Sequence, residues 1–253
     1  MKMHLLNGGR VRIKKHIYVP DAPRDELFEL PVIATLFRHP HANVLFDTGC
    51  HPSVSIDPSA RWGGLAKFMT PIAPIDSGVV SSLAYLNLKP TDIDIVVNSH
   101  LHPDHCGCNE FFTKAEFYIH EKELEVACAA DSSALGYIRQ EWDHPMRVNP
   151  INSETDLMND GQLVMIPLPG HTPGSIGMRV DLARDGGFVL ASDAVSLLRN
   201  LEYDEVPKNA WSADHLLSSY ETLRRLQNLG DKIIGGHDDG QWQALKKGKI
   251  AYE

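Results

Sequence analysis

The sequence predicts one α/β domain over residues 1–253, in which sheet layers are covered by helices. Short apolar runs rich in β-branched residues recur along the chain, each closed by a turn signal, and segments with apolar residues at helical spacing lie between them. No Ser/Pro-rich linker, charge block, low-complexity run or short-period repeat divides the chain.

The first run is residues 32–37, and residues 43–46 follow, closed by Asp47-Thr48-Gly49. Then come residues 93–97, 163–166, 188–190 and 232–234, the last before Gly235-Gly236. All are too short for helices and read as buried strands. Residues 79–88 carry apolar side chains at helical spacing until Lys89-Pro90 stops them, and residues 121–130 are a second helix. The clearest helix is residues 214–229. There Leu216, Leu217, Tyr220, Leu223 and Leu226 share one face, Ser212 is placed to cap the start, and Gly230 ends it. Residues 50–78 and 131–160 fit neither pattern. The first of these carries Trp62, Phe68 and Met69, and a long loop that exposes such side chains is often a lid or substrate wall. Met3, Leu5 and Ile72 are its expected neighbours in an apolar wall for an acyl chain.

With 43% hydrophobic and 23% charged residues, the composition is that of a folded protein rather than a disordered one. The net charge of −9 argues against a broad nucleic-acid or anionic-membrane footprint, because both need clustered Lys and Arg. Residues 1–10 hold no apolar stretch of signal-peptide length, and no window approaches a membrane span of about 18 apolar residues. A cytoplasmic location is the expectation. The four cysteines, at 50, 106, 108 and 128, are too few for a disulfide scaffold, lack zinc-knuckle spacing and read as reduced thiols.

Of the 13 histidines, those that cluster matter. Directly after the run ending at Val97 stands Asn98-Ser99-His100-Leu101-His102-Pro103-Asp104-His105. At a strand end, alternate side chains converge on one point, so His100 and His102 can share one ion. Asp104 and His105, past the turn-forming Pro103, then reach a neighbouring one. Imidazole and carboxylate donors suit zinc, and also iron, cobalt or manganese. Pro169-Gly170-His171-Thr172-Pro173-Gly174, Ala191-Ser192-Asp193 and Gly235-Gly236-His237-Asp238 recur in the same context, a strand end followed by a turn. Each is weak alone; together they complete the donors of two adjacent metal sites.

The order His100-x-His102-x-Asp104-His105, then His171, Asp193 and His237, resembles the metallo-β-lactamase superfamily. Asp47-Thr48-Gly49 is similar to its first motif, which supports the metal loops from behind the ligands. The resemblance runs from about residue 30 to 240, with all motifs in order. It implies a four-layer αβ/βα sandwich with two divalent metals, zinc before cobalt, manganese or iron, at one edge between the sheets. It places His100, His102 and His171 on the first metal and Asp104, His105 and His237 on the second, with Asp193 bridging.

Asp rather than Cys at 193 differs from the antibiotic-degrading members, and flavodiiron proteins usually carry Glu at the position of His102. The spacings, Ser192-Asp193-Ala194, Asp204-Glu205-Val206-Pro207 and Asp57-Pro58-x-x-x-Trp62-Gly63-Gly64 resemble the N-acyl-homoserine lactone lactonases. That likeness implies attack on a lactone carbonyl by a hydroxide shared between the ions, with Asp104 as the catalytic residue that helps protonate the leaving alkoxide. It further implies a small-molecule lactone as partner and a homodimer as the assembly. One departure stands out. Well-known members place a substrate-binding tyrosine three positions after the bridging aspartate, where this chain has Ser196; either another group such as Tyr137 or Tyr203 reaches in, or the metals suffice, or the substrate differs.

The rival readings are another lactone hydrolase, a glyoxalase II-like thioesterase or a phosphotriesterase on the same centre. Lys246, Lys247 and Lys249 only faintly resemble the glutathione-binding basic residues of glyoxalase II-like proteins. A mononuclear-iron persulfide dioxygenase shares the His-x-His-x-Asp-His loop, and metal stoichiometry separates it.

Overall fold

The computed structural model describes residues 1–74 and 76–253. The chain opens with strands β1 (Lys2–Lys14), β2 (Leu27–Arg38) and β3 (Asn43–Phe46). Helix α1 (Pro58–Trp62), strand β4 (Met69–Pro71), helix α2 (Val79–Tyr85) and strand β5 (Ile95–Val97) follow. Next come α3 (Pro103–Cys106), β6 (Glu116–His120), α4 (Glu121–Cys128), α5 (Arg139–Trp142), β7 (Arg147–Ile151) and β8 (Thr155–Asp156). Strands β9 (Leu163–Pro167), β10 (Ile176–Leu182) and β11 (Gly186–Ser192) precede α6 (Leu198–Tyr203), α7 (Ala213–Asn228), β12 (Lys232–Gly235) and α8 (Asp239–Ala244).

Two sheets result, one of seven strands in the order β4-β1-β2-β3-β5-β6-β7 and one of five in the order β12-β11-β10-β9-β8. In the first, β1, β2 and β3 are antiparallel while β3, β5, β6 and β7 run parallel. In the second, β11 and β12 are parallel and the remaining pairs antiparallel. Alternation along each strand sends neighbouring side chains to opposite faces. Phe37, Val97, Phe188 and Leu190 point between the sheets, where they pack with Met3, Leu5, Met165 and Met178. Their neighbours Leu36 and Val96 point outward under α2, α4 and α5, and Val189 and Ala191 point outward under α6 and α7. The layers are therefore helix, sheet, sheet, helix. Each fully buried Leu or Phe contributes about 1.5–3 kcal/mol, so these faces dominate the stability.

The structure extends and corrects the sequence reading. Residues 43–46 form the strand expected of them, whereas the run at 32–37 is the end of the longer β2, and the helix from residue 79 stops at Tyr85. No strand was expected before residue 32, because Asn7-Gly8-Gly9-Arg10 breaks the apolar pattern. Instead β1 runs through it, with a register shift against β2 between Asn7 and Gly9. The irregular segments also contain structure, α1 and β4 in one and α5, β7 and β8 in the other. Trp62 is buried at 2% exposure among Val11, Leu30 and Val54, and Met3 and Leu5 lie between the sheets. None of these three forms a substrate wall. No helix among the described residues is long and apolar enough to cross a membrane.

Candidate metal centre

Strands β3, β5, β9, β11 and β12 release their C-terminal ends toward one edge of the sandwich. Asp47 follows β3, His100 and His102 follow β5, His171 follows β9, Asp193 follows β11 and His237 follows β12. Pro103 opens the short helix α3 with its φ already set, so Asp104 and His105 are presented from a helical turn rather than from an extended loop.

The seven side chains meet in three overlapping groups, in each of which the donor atoms lie within 4.8 Å of one another. They are His100 with His102 and His171, His100 with His105 and Asp193, and Asp104 with His105 and His237. Asp193 spans the two outer groups. Its Oδ2 lies 3.4 Å from His171 Nε2, while its Oδ1 lies 2.9 Å from His237 Nε2 and 3.3 Å from His105 Nε2. Asp104 Oδ2 is 3.7 Å from both His105 Nε2 and His237 Nε2.

Hydrogen bonds on the far side of each ring set which nitrogen faces inward. His237 Nδ1–H donates to the Pro31 carbonyl at 2.8 Å and His102 Nε2–H to the Leu135 carbonyl at 3.0 Å. His105 Nδ1–H donates to Asp47 Oδ2 at 2.8 Å, and Ser99 Oγ, itself donating to Asp47 at 2.7 Å, accepts from His100 Nδ1–H at 2.9 Å. With the outer nitrogen bonded in this way, each of these four rings turns its other nitrogen inward, where the neutral tautomer offers a lone pair to a metal. Asp47 and Ser192, both at the rim of this network, hold left-handed backbone with φ of +59° and +47°, a strain the surrounding bonds sustain.

Three buried atoms here, His100 Nε2, His105 Nε2 and Asp193 Oδ1, have no hydrogen-bond partner among the described residues. Leaving such groups unpaired costs about 1–3 kcal/mol each, and a cation between them removes that cost. Burial, with the other histidines adding to it, pushes His100 well below the usual imidazole range, and burial takes His171 down to about 3. On the acidic side burial also opposes charge, yet Asp104, Asp193 and Asp47 outweigh it and hold His105 well above its ordinary value. His237 is raised the same way by Asp193 and Asp104. One side of the centre thus offers neutral imidazoles and the other draws positive charge. This donor set suits divalent ions.

A cleft of about 350 Å³ opens over the centre, with His102, Asp104, His171 and Asp193 in its floor. Ile13, Leu65, Phe68, Met69, Leu135 and Trp211 supply apolar walls. Phe68 and Met69 therefore face it, as does Tyr137, whose ring centroid lies 5.0 Å from that of His102. Trp62 does not; its indole Nε1 donates to Glu141 at 3.0 Å beneath the loop. Ser196 is buried and does not line the cleft, and its carbonyl accepts from His237 N–H at 2.9 Å. Tyr203 is 63% exposed and outside the cleft lining, as is Ile72. Lys246 pairs with Asp185 and Lys247 donates to the Trp242 carbonyl, both away from the cleft. All four cysteines are free thiols.

Two residues escaped the sequence reading. Tyr18 lines the cleft with its ring 6.3 Å from that of His237, and burial, then the Asp193 and Asp104 charges, keep its phenol protonated. No motif surrounds it in the sequence. Glu123 is wholly buried and bonded to both histidine loops.

The sequence profile of the metallo-beta-lactamase superfamily matches residues 27–237. An N-acyl homoserine lactonase, AttM, of Azorhizobium caulinodans is 30% identical over 260 residues, covering 100% of this chain and 99% of that one. A solved N-acyl homoserine lactone hydrolase with N-hexanoyl-L-homoserine at its catalytic metal centre superposes with a TM-score of 0.90 at 22% identity, over 99% of this chain and 98% of the other. The dizinc quorum-quenching lactonase AidC gives a TM-score of 0.68 at 16% identity, over 94% and 87% of the two chains.

Proposed function

Because the chain belongs to the metallo-beta-lactamase superfamily, we propose that it is a dinuclear zinc hydrolase that opens the ester ring of N-acyl homoserine lactones. The observation that carries this reading is Asp193, one oxygen facing His171 and the other facing His105 and His237. Relatives named as N-acyl homoserine lactonases, aligned over the whole chain, support the substrate class.

In this reading His100, His102 and His171 would hold one ion and Asp104, His105 and His237 the other, with Asp193 placed to serve both. A pair of zinc ions supplies Lewis acidity and a hydrolytic nucleophile at neutral pH. The protein's residues do the rest. Asp104, in the cleft floor, would accept the proton that the attacking water gives up and return it to the ring oxygen as its bond to the carbonyl carbon breaks. Tyr18 offers its phenol O–H to a substrate oxygen from the His237 side, where Ser196 is turned away. Phe68, Met69, Leu135 and Trp211 shelter an acyl chain and keep water from it. Tyr137 packs on His102 rather than reaching across the cleft.

Acid release by the metal-loaded protein tests this on a panel of short- and long-chain N-acyl homoserine lactones, a simple γ-lactone, S-lactoylglutathione and a phosphotriester. Fast opening of the acyl homoserine lactones is the expected result. Turnover of another panel member alone would keep the metal hydrolase and discard this substrate.

A further inference from the structure

Glu123 is the third residue of α4, and its carboxylate is fully buried at 0% exposure. Its hydrogen-bond partners are neutral donors from two different loops. Leu101 N–H, between His100 and His102, donates to Oε1 at 2.9 Å. Thr172 Oγ–H, next to His171, donates to Oε2 at 2.7 Å, and Gly174 N–H donates to the same oxygen at 3.2 Å. Burying a carboxylate without a cation is costly and is sustained only when several donors satisfy it. The α4 N-terminus adds the favourable end of the helix dipole.

The contact is built to be close. A Cβ on Gly174 would fall 2.3 Å from Glu123 N and 2.6 Å from its Cβ, so only glycine lets the His171 loop dock on α4. The neighbouring glutamates, Glu121 and Glu125, are exposed. One side chain therefore ties the His171 loop to Leu101, between His100 and His102 and before Pro103 opens the helical turn that presents Asp104 and His105, and it bonds to neither of the loops that carry His237 and Asp193.

We propose that Glu123 is a positioning residue for one ion only, holding the His100, His102 and His171 trio in ligating geometry by bonding the Leu101 amide to the Thr172 hydroxyl and Gly174 amide. This rests on the metal-centre reading above. Its consequence is asymmetric: Asp47 reaches both groups, His105 directly and His100 through Ser99, whereas Glu123 serves the His100, His102 and His171 side alone.

The test is stepwise loading of metal-stripped protein with Co²⁺ alone, competed against a chromophoric chelator, with thermal unfolding measured on the same samples. In Glu123→Gln an amide N–H₂ replaces one accepting oxygen and, in either orientation, meets a donor of one of the two loops. One binding step is expected to weaken about 10–100-fold, the usual cost of losing an outer support of a ligand. It must be the step that His171→Ala also removes and that His237→Ala retains. Thr172→Val deletes one donor, leaves the carboxylate in place and is expected to weaken the same step by less; it decides the matter if Glu123→Gln does not fold. Unchanged affinities, or equal weakening of both steps, overturn the proposal while leaving the metal centre standing. A wild-type protein that takes up no second ion overturns both.

Discussion

The Nε2–H of His102 donates to the backbone carbonyl of Leu135 at 3.0 Å, which fastens one wall of the cleft to a histidine of the centre. The next residue, Gly136, has φ of +92°, and a Cβ there would lie 3.2 Å from that same nitrogen. Gly136→Ala is expected to push the wall off His102, raising KM for lactones severalfold and costing about 1–2 kcal/mol in backbone strain. Steady-state kinetics and thermal unfolding together check it, and unchanged KM would show that the wall does not shape the site.

Asp193 faces both donor groups, so its loss reaches further than that of any single histidine. Asp193→Ala is expected to lower metal content below that of His237→Ala, measured by elemental analysis of dialysed protein, and to abolish turnover. Equal metal content in the two variants would contradict the shared role.

Phe68 and Trp62 lie on one irregular segment and are expected to behave oppositely. Phe68 is 71% exposed and lines the cleft, so Phe68→Ala should raise KM for long-chain lactones more than for short ones and leave stability nearly intact. Trp62→Ala opens a cavity in the core and should cost about 3–5 kcal/mol, with no dependence on chain length.

Tyr18→Phe removes only a hydroxyl, whose contact within the protein is Asn209 Nδ2 at 3.4 Å. If that hydroxyl bonds to substrate, kcat/KM should fall about tenfold, the worth of one hydrogen bond of about 1.4 kcal/mol, with the melting temperature unmoved. A fall confined to stability would remove Tyr18 from substrate binding.

Glu141 sits at the joint between α1 and α5, where Arg61 Nε donates to both of its oxygens at 2.9 Å. Burial raises its carboxyl from 4.5 to about 7, outweighing the Arg61 charge. Between those values the folded protein holds a proton that the unfolded chain has released, so stability falls as pH rises through this window. Glu141→Gln binds no such proton, and its melting temperature should decline less from pH 5 to pH 8 than that of the wild type. Parallel profiles would show that Glu141 does not carry this dependence.

The ends of strands are where the sequence speaks most plainly about this protein. Short β-branched runs announce β3, β9 and β12, and the residue following each run is constrained by the turn it must make. His100, His102, His171, Asp193 and His237 are legible there because donor residues crowd beside Pro and Gly. β10 lies outside those runs, yet Ile176, Met178, Val180 and Leu182 alternate with Gly177, Arg179 and Asp181, the period-two pattern of a strand. β1 was hidden by its own bulge, since two glycines in mid-strand look like a turn.

Composition and order along the chain thus determined the layered α/β fold and the set of donors, since both follow from local periodicity and from motifs a few residues long. Only the tertiary structure decided which side chains surround the donors. Glu121, Glu123 and Glu125 are alike in the sequence, and only the docking of the His171 loop singles out Glu123. Trp62 and Phe68 are both large and apolar, yet six residues apart one turns into the core and the other into the cleft. Tyr18 reaches His237 across more than two hundred residues of chain. Such choices depend on side-chain direction and on contacts between distant segments, which no local pattern encodes.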